Sequence, residues 1–441
     1  MTSRQDLGQT EPRVRTAAVI GLGYVGLPLV LHLLRKDFRI VGYDLDARKI
    51  SLLKAGKSYI TEIEDVEIME ALSTGRLVLT DRYQEMEEAE AFIVCVPTPL
   101  SDRGTPDLSY LTQAVSEISR LVPNGKLIVL ESSTYPGTTR EVVAPILERI
   151  GLTVGQDVYL AYSPERIDPG NKDYPCHMIP KVVSGMTPTC LRQVEELYRG
   201  VFTKIHSVSS VESAEMAKIM ENAYRLINIS FVNELAIICD ELNLDIWEVI
   251  EAAKTKPFGF SGFYPGPGIG GHCIPVDPIY LEWKLQQYGM GSGFIQLSQS
   301  VNHKMPQYIA GQVQKILDTK SLQHARILVY GIAYKKDIAD SRESSALQLL
   351  QVLHSMGADA VYHDPYIPNV KVNGGIWNSV EITFELLAEM DAVILATDHS
   401  CIPLSLLLEH AKLVYDTRNA TAGYDGIAKA RVVRLGGGGI S

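Results

Sequence analysis

The segment TAAVIGLGYVGLPLVLHLL near the N-terminus constrains the fold of this chain more than any other. It reads as a strand, a glycine turn and an apolar helix, and its Gly21, Gly23 and Gly26 have the spacing G-x-G-x-x-G. In such a unit the first glycine allows the tight turn, the second lets a pyrophosphate approach the backbone, and the third lets helix and strand pack closely. The pyrophosphate would lie at the helix N-terminus. The segment therefore predicts a dinucleotide site, with Tyr24 and Val25 among its contacts.

The next strand, FRIVGYD, predicts the identity of the dinucleotide. It ends on Asp44, about 20 residues after the turn, where a carboxylate that binds the ribose hydroxyls belongs. Since that carboxylate would repel a 2′-phosphate, it favours NAD over NADP. Arg48 and Lys49 lie nearby and weaken the preference, and Lys49 is itself a candidate cofactor contact. A simple strand-end cap is the alternative role of Asp44.

Three further strands continue the alternation of strands and helices. They read AFIVCVPTP, KLIVLESSTYPGTT and VYLAYSPERIDPG, and helical patterns separate them. This order predicts a parallel sheet with helices on both faces, and ligands of such sheets bind at the carboxyl ends of the strands. The side chains expected at that edge are Thr98, Ser133, Thr134 and Glu165.

A long helix is predicted in the middle of the chain. Residues 211–243 contain no Pro or Gly, which corresponds to about 50 Å of helix. The segment is apolar around much of its circumference, as buried helices are, and we expect it to join the domains and to form a dimer interface. Lys218 and Asn222 lie four residues apart and share a face. Their spacing alone favours a solvent-facing polar pair.

The segment GFYPGPGIGGHCIPVDPIYL (262–281) contains the candidate nucleophile. Its prolines and glycines predict an irregular loop, because proline removes a backbone donor and glycine adds chain entropy. Cys273 is followed by Asp277 four residues later, and the backbone amides of 266–271 could surround a substrate. A lone cysteine is, however, as often a buried inert thiol as a reactive one.

The C-terminal part begins a second series of strands and helices. Its strands read ARILVYGIAY, ADAVYHDP, DAVILATDHS and KLVYDTRNA, and it lacks a G-x-G-x-x-G motif. Basic residues occupy the predicted strand ends instead, and they could hold a nucleotide or be scattered surface charge: Lys335, Lys336, Arg342 and Arg418.

These patterns predict an α/β protein with two Rossmann-like, doubly wound parallel-sheet domains, joined by a long central helix and a helical middle segment. The expected divisions are a flexible tail 1–15, an NAD-binding domain 16–210, a helical central domain 211–318 for dimerisation and the cysteine segment, a nucleotide-binding domain 319–436, and a flexible tail 437–441.

Composition excludes several other classes of protein. The net charge of −11 over 441 residues argues against nucleic acid as a partner, since phosphate binding needs basic patches. The N-terminus has no apolar signal segment, and no run of about 18 apolar residues exists, so we expect no membrane association. The six cysteines have no CxxC or metal-like spacing, which predicts reduced thiols, a cytoplasmic location and no metal site.

Taken together, the motifs resemble the UDP-glucose/GDP-mannose dehydrogenase family. The matching segments, in the family's order, are GLGYVGLP, ESSTYPGTT, SPER, AEMAKIMENAYR, GIGGHCIPVDP, GIAYKKDIADSRESS and YDTR, and they extend from about residue 16 to 435. The cysteine segment is most similar to the branch that acts on UDP-N-acetylglucosamine. The glucose branch typically has Ser-Cys where this chain has His272-Cys273.

The resemblance implies an NAD-dependent, four-electron oxidation of a sugar C6 alcohol to a carboxylate. Cys273 is then the nucleophile that holds C6 as a thiohemiacetal and later as a thioester. Lys218 and Asn222 would stabilise the oxyanions. Asp277 and Glu165 are implied as the acid–base residues, and Thr134 would position water or contact the nicotinamide.

The resemblance also implies the substrate contacts, and the long central helix is the expected interface of a homodimer. UDP would bind the C-terminal domain, with Lys335 at a phosphate and Arg418 at the sugar, whereas Arg342 would reach the NAD. Further implied substrate contacts are Glu165, Arg166, Lys218, Asn222, Tyr264, Gly268, Gly271 and His272.

Three alternatives remain at this point. The first is the same chemistry on UDP-N-acetylmannosamine, UDP-N-acetylgalactosamine or UDP-glucose. The second is a two-electron dehydrogenase of the 6-phosphogluconate or hydroxyacyl type, which shares a long central helix and needs no cysteine. The third is a non-catalytic sensor of NAD or a nucleotide sugar. A sensor needs no nucleophile, so the presence of Cys273 together with Lys218 and Asp277 counts against it.

Overall fold

The computed structural model describes residues 16–60, 62–101, 103–121, 125–166, 178–271, 273–317, 321–372, 374–424 and 428–438. His272 and the predicted tail 1–15 lie outside these ranges. The chain divides into two compact units, the first within Met1–Glu221 and Trp283–Tyr288, and the second within Asn222–Glu282 and Gly289–Ser441. The finer division into a separate helical central domain stays a prediction.

The first unit contains an eight-stranded sheet in the order β3-β2-β1-β4-β5-β6-β7-β8. All neighbouring strands are parallel except β6 and β7. The strands are β1 Thr16–Ile20, β2 Arg39–Tyr43, β3 Leu77–Thr80, β4 Ala91–Val94, β5 Lys126–Leu130, β6 Val158–Tyr162, β7 Lys181–Gly185 and β8 Ile205–Ser207. Ile20 pairs with both Tyr43 and Val94, so the carboxyl ends of the three strands meet at one edge, as expected for this strand order.

Helices cover both faces of this sheet, because alternate residues of each strand are buried on opposite sides. In β1, Ala17 and Val19 belong to one apolar cluster, whereas Ala18 and Ile20 belong to another. Burial on both faces is typical of doubly wound sheets. The helices are α1 Gly26–Leu34, α2 Ala47–Lys54, α3 Asp65–Ser73, α4 Ser109–Ser119, α5 Ala144–Glu148 and α6 Pro188–Tyr198.

The long middle helix is present as α7, Val211–Leu242, and continues from the residues of the first unit into those of the second. It is followed by α8 Ile246–Lys254, α9 Cys273–Gln286 and α10 Gly293–Ile316. The predicted irregular loop 262–281 is therefore wrong from Cys273 onward. Pro275 lies in the first turn of α9, where the missing N–H has no helical partner to lose, and Pro278 is accommodated inside the helix.

The second unit contains a five-stranded parallel sheet in the order β10-β9-β13-β14-β15. Its strands are β9 Arg326–Tyr330, β10 Asp359–His363, β13 Ala392–Leu395, β14 Leu413–Asp416 and β15 Arg431–Arg434, with a separate hairpin of β11 Asn369–Val372 and β12 Gly375–Asn378. The remaining helices are α11 Ser345–Ser355, α12 Phe384–Glu389 and α13 Leu404–His410. Ile327 and Leu328 belong to different apolar clusters, so this sheet is also covered on both faces. The predicted fold class is confirmed.

The glycine-rich end of the chain is part of the second unit and is hydrogen-bonded to its helices. The N–H groups of Gly436 and Gly438 donate to the Asp240 carboxylate of α7 at 3.2 and 3.4 Å. The Trp247 indole donates to the carbonyl of Leu435 at 2.9 Å. The first residues of the predicted tail 437–441 are thus held in place, and 439–441 lie outside the described part of the chain.

Among the described residues, every helix is too short or too polar to cross a membrane.

Candidate active site

The glycine turn after β1 has the geometry that its spacing predicts. Gly21 adopts a left-handed φ of +93° and its N–H donates to the carbonyl of Tyr43 at 2.8 Å. A Cβ on Gly26 would lie 1.9 Å from the carbonyl oxygen of Gly21, whereas a Cβ on Gly23 would meet no described protein atom within 4 Å. The third glycine therefore permits helix–strand packing, and the second leaves space beside the turn.

The N-terminus of α1 lies next to this space. Its N-cap residue is Val25, and no described side chain caps the first turn. The first N–H groups of such a helix have no helical partner and favour an anion. Space at Gly23 and an uncapped helix N-terminus are what a dinucleotide pyrophosphate requires, so these residues fit NAD.

Asp44, directly after β2, closes the same turn. Its buried carboxylate accepts the N–H groups of Leu22 and Asp46, both at 2.9 Å, and lies 3.2 Å from the ammonium of Lys49. The side chain therefore has the structural role that was the alternative in the sequence. Contacts of Asp44 and Lys49 with a ribose stay a prediction.

Three hydroxyl residues follow β4 and β5 at the same edge of the sheet. The Thr98 hydroxyl donates to the carbonyl of Ser133 at 2.7 Å. Thr134 is 2% exposed, and its hydroxyl has no hydrogen-bond partner among the described residues. Because an unsatisfied buried hydroxyl costs about 1–3 kcal/mol, the structure points to a partner beyond the described residues, such as water or a ligand.

Glu165, after β6, lies in a buried ionic network that the sequence analysis missed. The Lys181 ammonium is 3.1 Å from Glu165 Oε2 and 2.8 Å from Glu131 Oε2. The N–H of Arg166 donates to Glu165 Oε1 at 2.7 Å. Charged residues at the ends of the apolar runs KLIVLE and KVVSGM were the available signal for Glu131 and Lys181.

The Arg166 side chain, a predicted substrate contact, is held by the protein. Its Nη2 lies 2.7 Å from Glu221 Oε1 of α7, and its Nη1 donates to the carbonyl of Pro180 at 3.2 Å. A substrate contact through this guanidinium stays a prediction.

Lys218 and Asn222 are both buried, at 8% and 2% exposure, so the expectation of a solvent-facing pair is wrong. The Asn222 amide donates to Asp277 Oδ2 at 2.5 Å, and the Arg225 guanidinium donates to Asn222 Oδ1. The structure thus brings two of the predicted catalytic residues, Asn222 and Asp277, into direct contact.

Cys273 is the first residue of α9, and its side chain is exposed. Asp277 lies one helical turn further on the same face and is buried. A cysteine at a helix N-terminus favours the thiolate, because the helix dipole places partial positive charge there. The structure therefore combines a thiol and a carboxylate one helical turn apart, which the sequence could show only as a spacing.

Three backbone amides of the glycine-rich segment before Cys273 donate to acceptors within the protein. Gly266 N–H donates to Asn233 Oδ1 at 2.9 Å, Ile269 N–H to Asn302 Oδ1 at 2.5 Å, and Gly271 N–H to the carbonyl of Arg342 at 3.0 Å. The amides of these three residues therefore have protein acceptors, and their contact with a substrate stays a prediction.

Gly268 and Gly271 are required by packing. Gly268 has a φ of +130° and Gly271 a φ of +88°. A Cβ on Gly268 would lie 2.5 Å from the Ser345 hydroxyl, and one on Gly271 would lie 2.7 Å from the Tyr334 ring. Substrate contacts of the two glycines stay a prediction.

Arg418, after β14, lies beside the glycine segment. Its Nε donates to the carbonyl of Ala396 at 2.9 Å, and a Cβ on Gly266 would lie 2.6 Å from its Nη1. Burial lowers the pKa of this guanidinium.

The Tyr264 hydroxyl donates to Glu251 at 2.7 Å and accepts from Lys254 at 2.6 Å.

Two further predicted binding residues lie in the loop between β9 and α11. Arg342 is exposed and pairs with Asp340 at 2.6 Å. Lys335 is half-buried. The loop thus presents basic side chains near the end of β9, and their contacts with UDP and NAD stay predictions.

The first unit has a Rossmann-type sheet whose glycine turn can accept an anion, and the second unit has a sheet of the same class. Together with a thiol at a helix N-terminus, these features define an NAD-dependent dehydrogenase that has two nucleotide-type domains. Comparison with known families agrees. The chain matches the NAD-binding domain of the UDP-glucose/GDP-mannose dehydrogenase family at residues 15–202, the central domain at 212–304 and the UDP-binding domain at 328–423. The protein belongs to this family, which confirms the resemblance, and its cofactor is NAD.

Individual relatives agree on the chemistry and differ in the sugar. The chain is 37% identical to a UDP-N-acetyl-D-glucosamine 6-dehydrogenase of Pseudomonas aeruginosa over 79% of this chain and 82% of the relative. It is 34% identical to a UDP-N-acetyl-D-mannosamine dehydrogenase of Pyrococcus horikoshii over 87% and 89%. A solved structure of a UDP-D-ManNAc dehydrogenase from Pyrococcus horikoshii has a TM-score of 0.86 at 31% identity, over 96% of this chain and 99% of that one. The protein is thus a UDP-sugar dehydrogenase.

Proposed function

We propose that the protein oxidises the C6 hydroxyl of UDP-N-acetylglucosamine to the carboxylate, through a thiohemiacetal and a thioester on Cys273. The observation that carries the proposal is the position of Cys273 at the N-terminus of α9, one turn before Asp277. The similarity to the UDP-N-acetyl-D-glucosamine 6-dehydrogenase supports this sugar. UDP-N-acetylmannosamine is the second candidate, since the Pyrococcus horikoshii relative acts on it.

In the first half-reaction, Asp277 or a water that it holds takes the proton of the C6 hydroxyl. The Asn222 amide donates to Asp277 at 2.5 Å, and a hydrogen bond of this kind favours the ionised, proton-accepting form of a carboxylate. Two NAD⁺ molecules, held in turn at Gly21, Gly23 and Asp44, would each accept one hydride from C6, and the first of these oxidations leaves C6 as an aldehyde.

In the second stage, the Cys273 thiolate attacks the aldehyde carbon, and the carbonyl electron pair moves to oxygen. Lys218 and Asn222 stabilise this oxyanion until it is protonated. The resulting thiohemiacetal keeps C6 attached for the second oxidation, which produces the thioester.

Hydrolysis releases the product. Glu165 takes a proton from water while the water oxygen bonds to the thioester carbon, and the carbon–sulfur bond then breaks to restore the Cys273 thiolate. Thr134 is a candidate to hold this water, since its hydroxyl is buried without a partner among the described residues.

The UDP part of the substrate would bind the second sheet. Lys335 would meet a phosphate, and Arg418, held beside Gly266, would meet the sugar. Tyr264 would contact the diphosphate or sugar, and Arg342 would reach the NAD.

The test is the number of NADH molecules formed per UDP-sugar. Two per sugar are expected from UDP-N-acetylglucosamine, with slower turnover of UDP-N-acetylmannosamine, UDP-N-acetylgalactosamine and UDP-glucose. Cys273→Ala should abolish turnover, whereas Cys401→Ala, which removes the other exposed cysteine of the described residues, should not. One NADH per sugar would contradict the four-electron reaction, and no NADH from any of the four sugars would favour a sensor.

We also propose that the protein forms a homodimer through α7. Tyr224, Phe231 and Ile238 recur every seven residues, so they share one helix face, and they are 50%, 53% and 43% exposed. Phe231→Glu should produce a monomer in size-exclusion chromatography with light scattering. Ile376→Glu, at a more exposed apolar residue of β12, is the control. A monomeric wild-type protein would refute the dimer.

A further inference from the structure

Two buried charged residues beside Glu165, namely Glu131 and Lys181, have no role in the mechanism. They are 1% and 4% exposed, and Glu165, which they adjoin, is 7% exposed. Such a buried group is expensive: taking charges out of water costs several kcal/mol per ion, and apolar residues of similar volume often replace buried ion pairs without loss of stability. Stability alone is therefore a weak reason for this network to exist.

The geometry divides one positive charge between two carboxylates. Lys181 lies 2.8 Å from Glu131 and 3.1 Å from Glu165. The hydroxyl of Tyr198 donates to the other oxygen of Glu131. The Lys181 ammonium also lies 5.4 Å from the centre of the Tyr198 ring and 5.1 Å from that of Phe202. Strands β5, β6 and β7 are neighbours in the sheet, so the three charged residues are held by rigid elements.

From this geometry we infer that Glu131 and Lys181 are positioning residues that set the basicity of Glu165 during hydrolysis of the thioester. The inference rests on the role proposed for Glu165. Lys181 holds the Glu165 carboxylate in one orientation through Oε2. Glu131 takes part of the lysine charge, so that Glu165 is ionised yet remains able to accept a proton.

The charge of the network explains this balance. With both carboxylates ionised the three groups have a net charge of −1. When Glu165 takes a proton from the attacking water, the Glu131–Lys181 pair that remains is neutral, which favours proton uptake in a buried site. Burial raises the pKa of Glu131, and the Lys181 ammonium opposes this effect.

Other ionisable groups surround the network. The thiol of Cys95 is buried, and burial raises its pKa; the charges of Glu131, Lys181, Glu165 and Lys218 act on it as well. Burial likewise raises the pKa of Tyr198. The Cys95 thiol and the Tyr198 hydroxyl are therefore neutral near pH 7 and add no charge to the network. Lys218, which also belongs to the first unit, is the further charged group near it.

Two substitutions should move the pH dependence of hydrolysis in opposite directions. In Lys181→Met, Glu165 loses its cation and faces Glu131, so the ionised base should form only at higher pH. In Glu131→Gln, Lys181 acts on Glu165 alone, so the base should form at lower pH but accept a proton less readily. The acidic limb is the part of the pH–rate profile in which the rate rises with pH. Each substitution should shift this limb by about one pH unit or more, which is about a tenfold change of rate at a fixed pH on the limb.

The experiment follows NADH formation and the thioester on Cys273 at saturating NAD⁺ and UDP-N-acetylglucosamine between pH 5 and 9. The thioester is measured by intact-protein mass spectrometry after acid quenching. Lys181→Met and Glu131→Gln should both accumulate the thioester at pH values at which the wild type does not accumulate it. Lys181→Arg keeps the charge and should restore the wild-type limb. Lys284→Met, which removes a lysine buried against Glu141 in the same unit, is the control and should leave the limb unchanged.

The outcomes separate this inference from the proposed function. If the wild type is active and Glu131→Gln has the same acidic limb as the wild type, the inference is overturned and the proposed function stays intact. Shifts of Glu131→Gln and Lys181→Met in the same direction would also overturn it. If Lys181→Met does not fold, Glu131→Gln and Lys181→Arg still decide the question. A wild type that forms no thioester on Cys273 would overturn both proposals.

Discussion

Replacement by alanine should have different effects at Gly23 and Gly26, two glycines of the G-x-G-x-x-G motif. We expect the first to weaken cofactor binding and the second to lower stability. In Gly26→Ala the new Cβ would lie 1.9 Å from the carbonyl oxygen of Gly21, and real Cβ atoms do not approach below 3.0 Å. Helix α1 must therefore move away from β1 by about 1 Å, and a gap of that size removes a quarter to a half of the dispersion energy of each contact across it.

The displaced face of α1 determines the magnitude. Leu27, Leu29, Val30 and Leu33 are at most 1% exposed, so the helix cannot shift without loss of core packing. Overpacking against flexible side chains costs about 1–3 kcal/mol. Since the obstacle here is backbone, we expect Gly26→Ala to destabilise the first unit by about 3 kcal/mol or more.

Gly23→Ala should leave stability unchanged, within about 0.5 kcal/mol, because its Cβ would meet no described protein atom within 4 Å. The methyl group would instead occupy the space left for the pyrophosphate. If NAD binds about tenfold more weakly, then a concentration of 100 times the wild-type Kd should stabilise the wild type by about 2.7 kcal/mol and the variant by only about 1.4 kcal/mol.

The assay is thermal unfolding with and without NAD, combined with calorimetric titration of NAD. The expected result is a stable Gly23→Ala variant with a weakened Kd, and a Gly26→Ala variant with a lowered Tm even without NAD. Wild-type NAD affinity in Gly23→Ala, or wild-type Tm in Gly26→Ala, would refute the assignment of the two glycines.

Two further predictions concern stability. The buried Glu215 carboxylate accepts the N–H groups of Gly137 and Thr139, and burial raises its pKa to about 7. The native state then binds more protons than the unfolded state, so stability should fall by about 2 kcal/mol from pH 5 to 7. Glu215→Gln should flatten this slope in urea unfolding measured across that range, and an unchanged slope would contradict it. Gly436→Ala should lower the Tm far more than Gly374→Ala, because both have positive φ but only the Cβ at 436 would lie 2.5 Å from Ile246; equal shifts of Tm would contradict this.

Much of the first sheet was predictable, because its signals are local. The glycine spacing, the apolar runs and the position of Asp44 each depend on a few neighbouring residues. The structure places them where these signals indicate, with Gly21 at positive φ and Asp44 at the end of β2. The long helix α7 was predictable for the same reason, since a stretch without Pro or Gly is a local property.

The cysteine segment was predicted less well, because its structure depends on distant partners. The prolines after Cys273 suggested a loop, yet a proline in the first turn of a helix loses no hydrogen bond. The amides of Gly266 and Ile269 are bound by Asn233 and Asn302, which lie 33 residues away in sequence. Such side-chain acceptors have no signature in the segment itself.

The ionic network of Glu131 and Lys181 was missed for a related reason. In the sequence, each is a charged residue at the end of an apolar run, where solvent exposure is the ordinary expectation. Only the sheet order, in which β6 lies between β5 and β7, brings both residues to Glu165 and buries all three.

The two sheets use the same backbone arrangement after their first strand. Gly331 follows β9 with a φ of +80° and donates to the carbonyl of His363 at 2.8 Å, as Gly21 does to Tyr43. Asp364 then accepts the N–H of Ile332 at 2.8 Å, as Asp44 accepts that of Leu22. The second unit thus keeps the Rossmann turn although its sequence lacks the G-x-G-x-x-G motif.

The two units differ in the segment that connects this turn to the next helix. Helix α1 begins five residues after Gly21, and no described side chain caps it. Helix α11 begins fourteen residues after Gly331, and the Ser344 hydroxyl accepts the N–H of Leu347 in its first turn. A capped and distant helix N-terminus is a poor site for a phosphate, so a phosphate bound to the second unit would need positive charge from side chains. This argument supports the proposal that Lys335, in the long loop after Gly331, contacts a phosphate in place of a glycine turn.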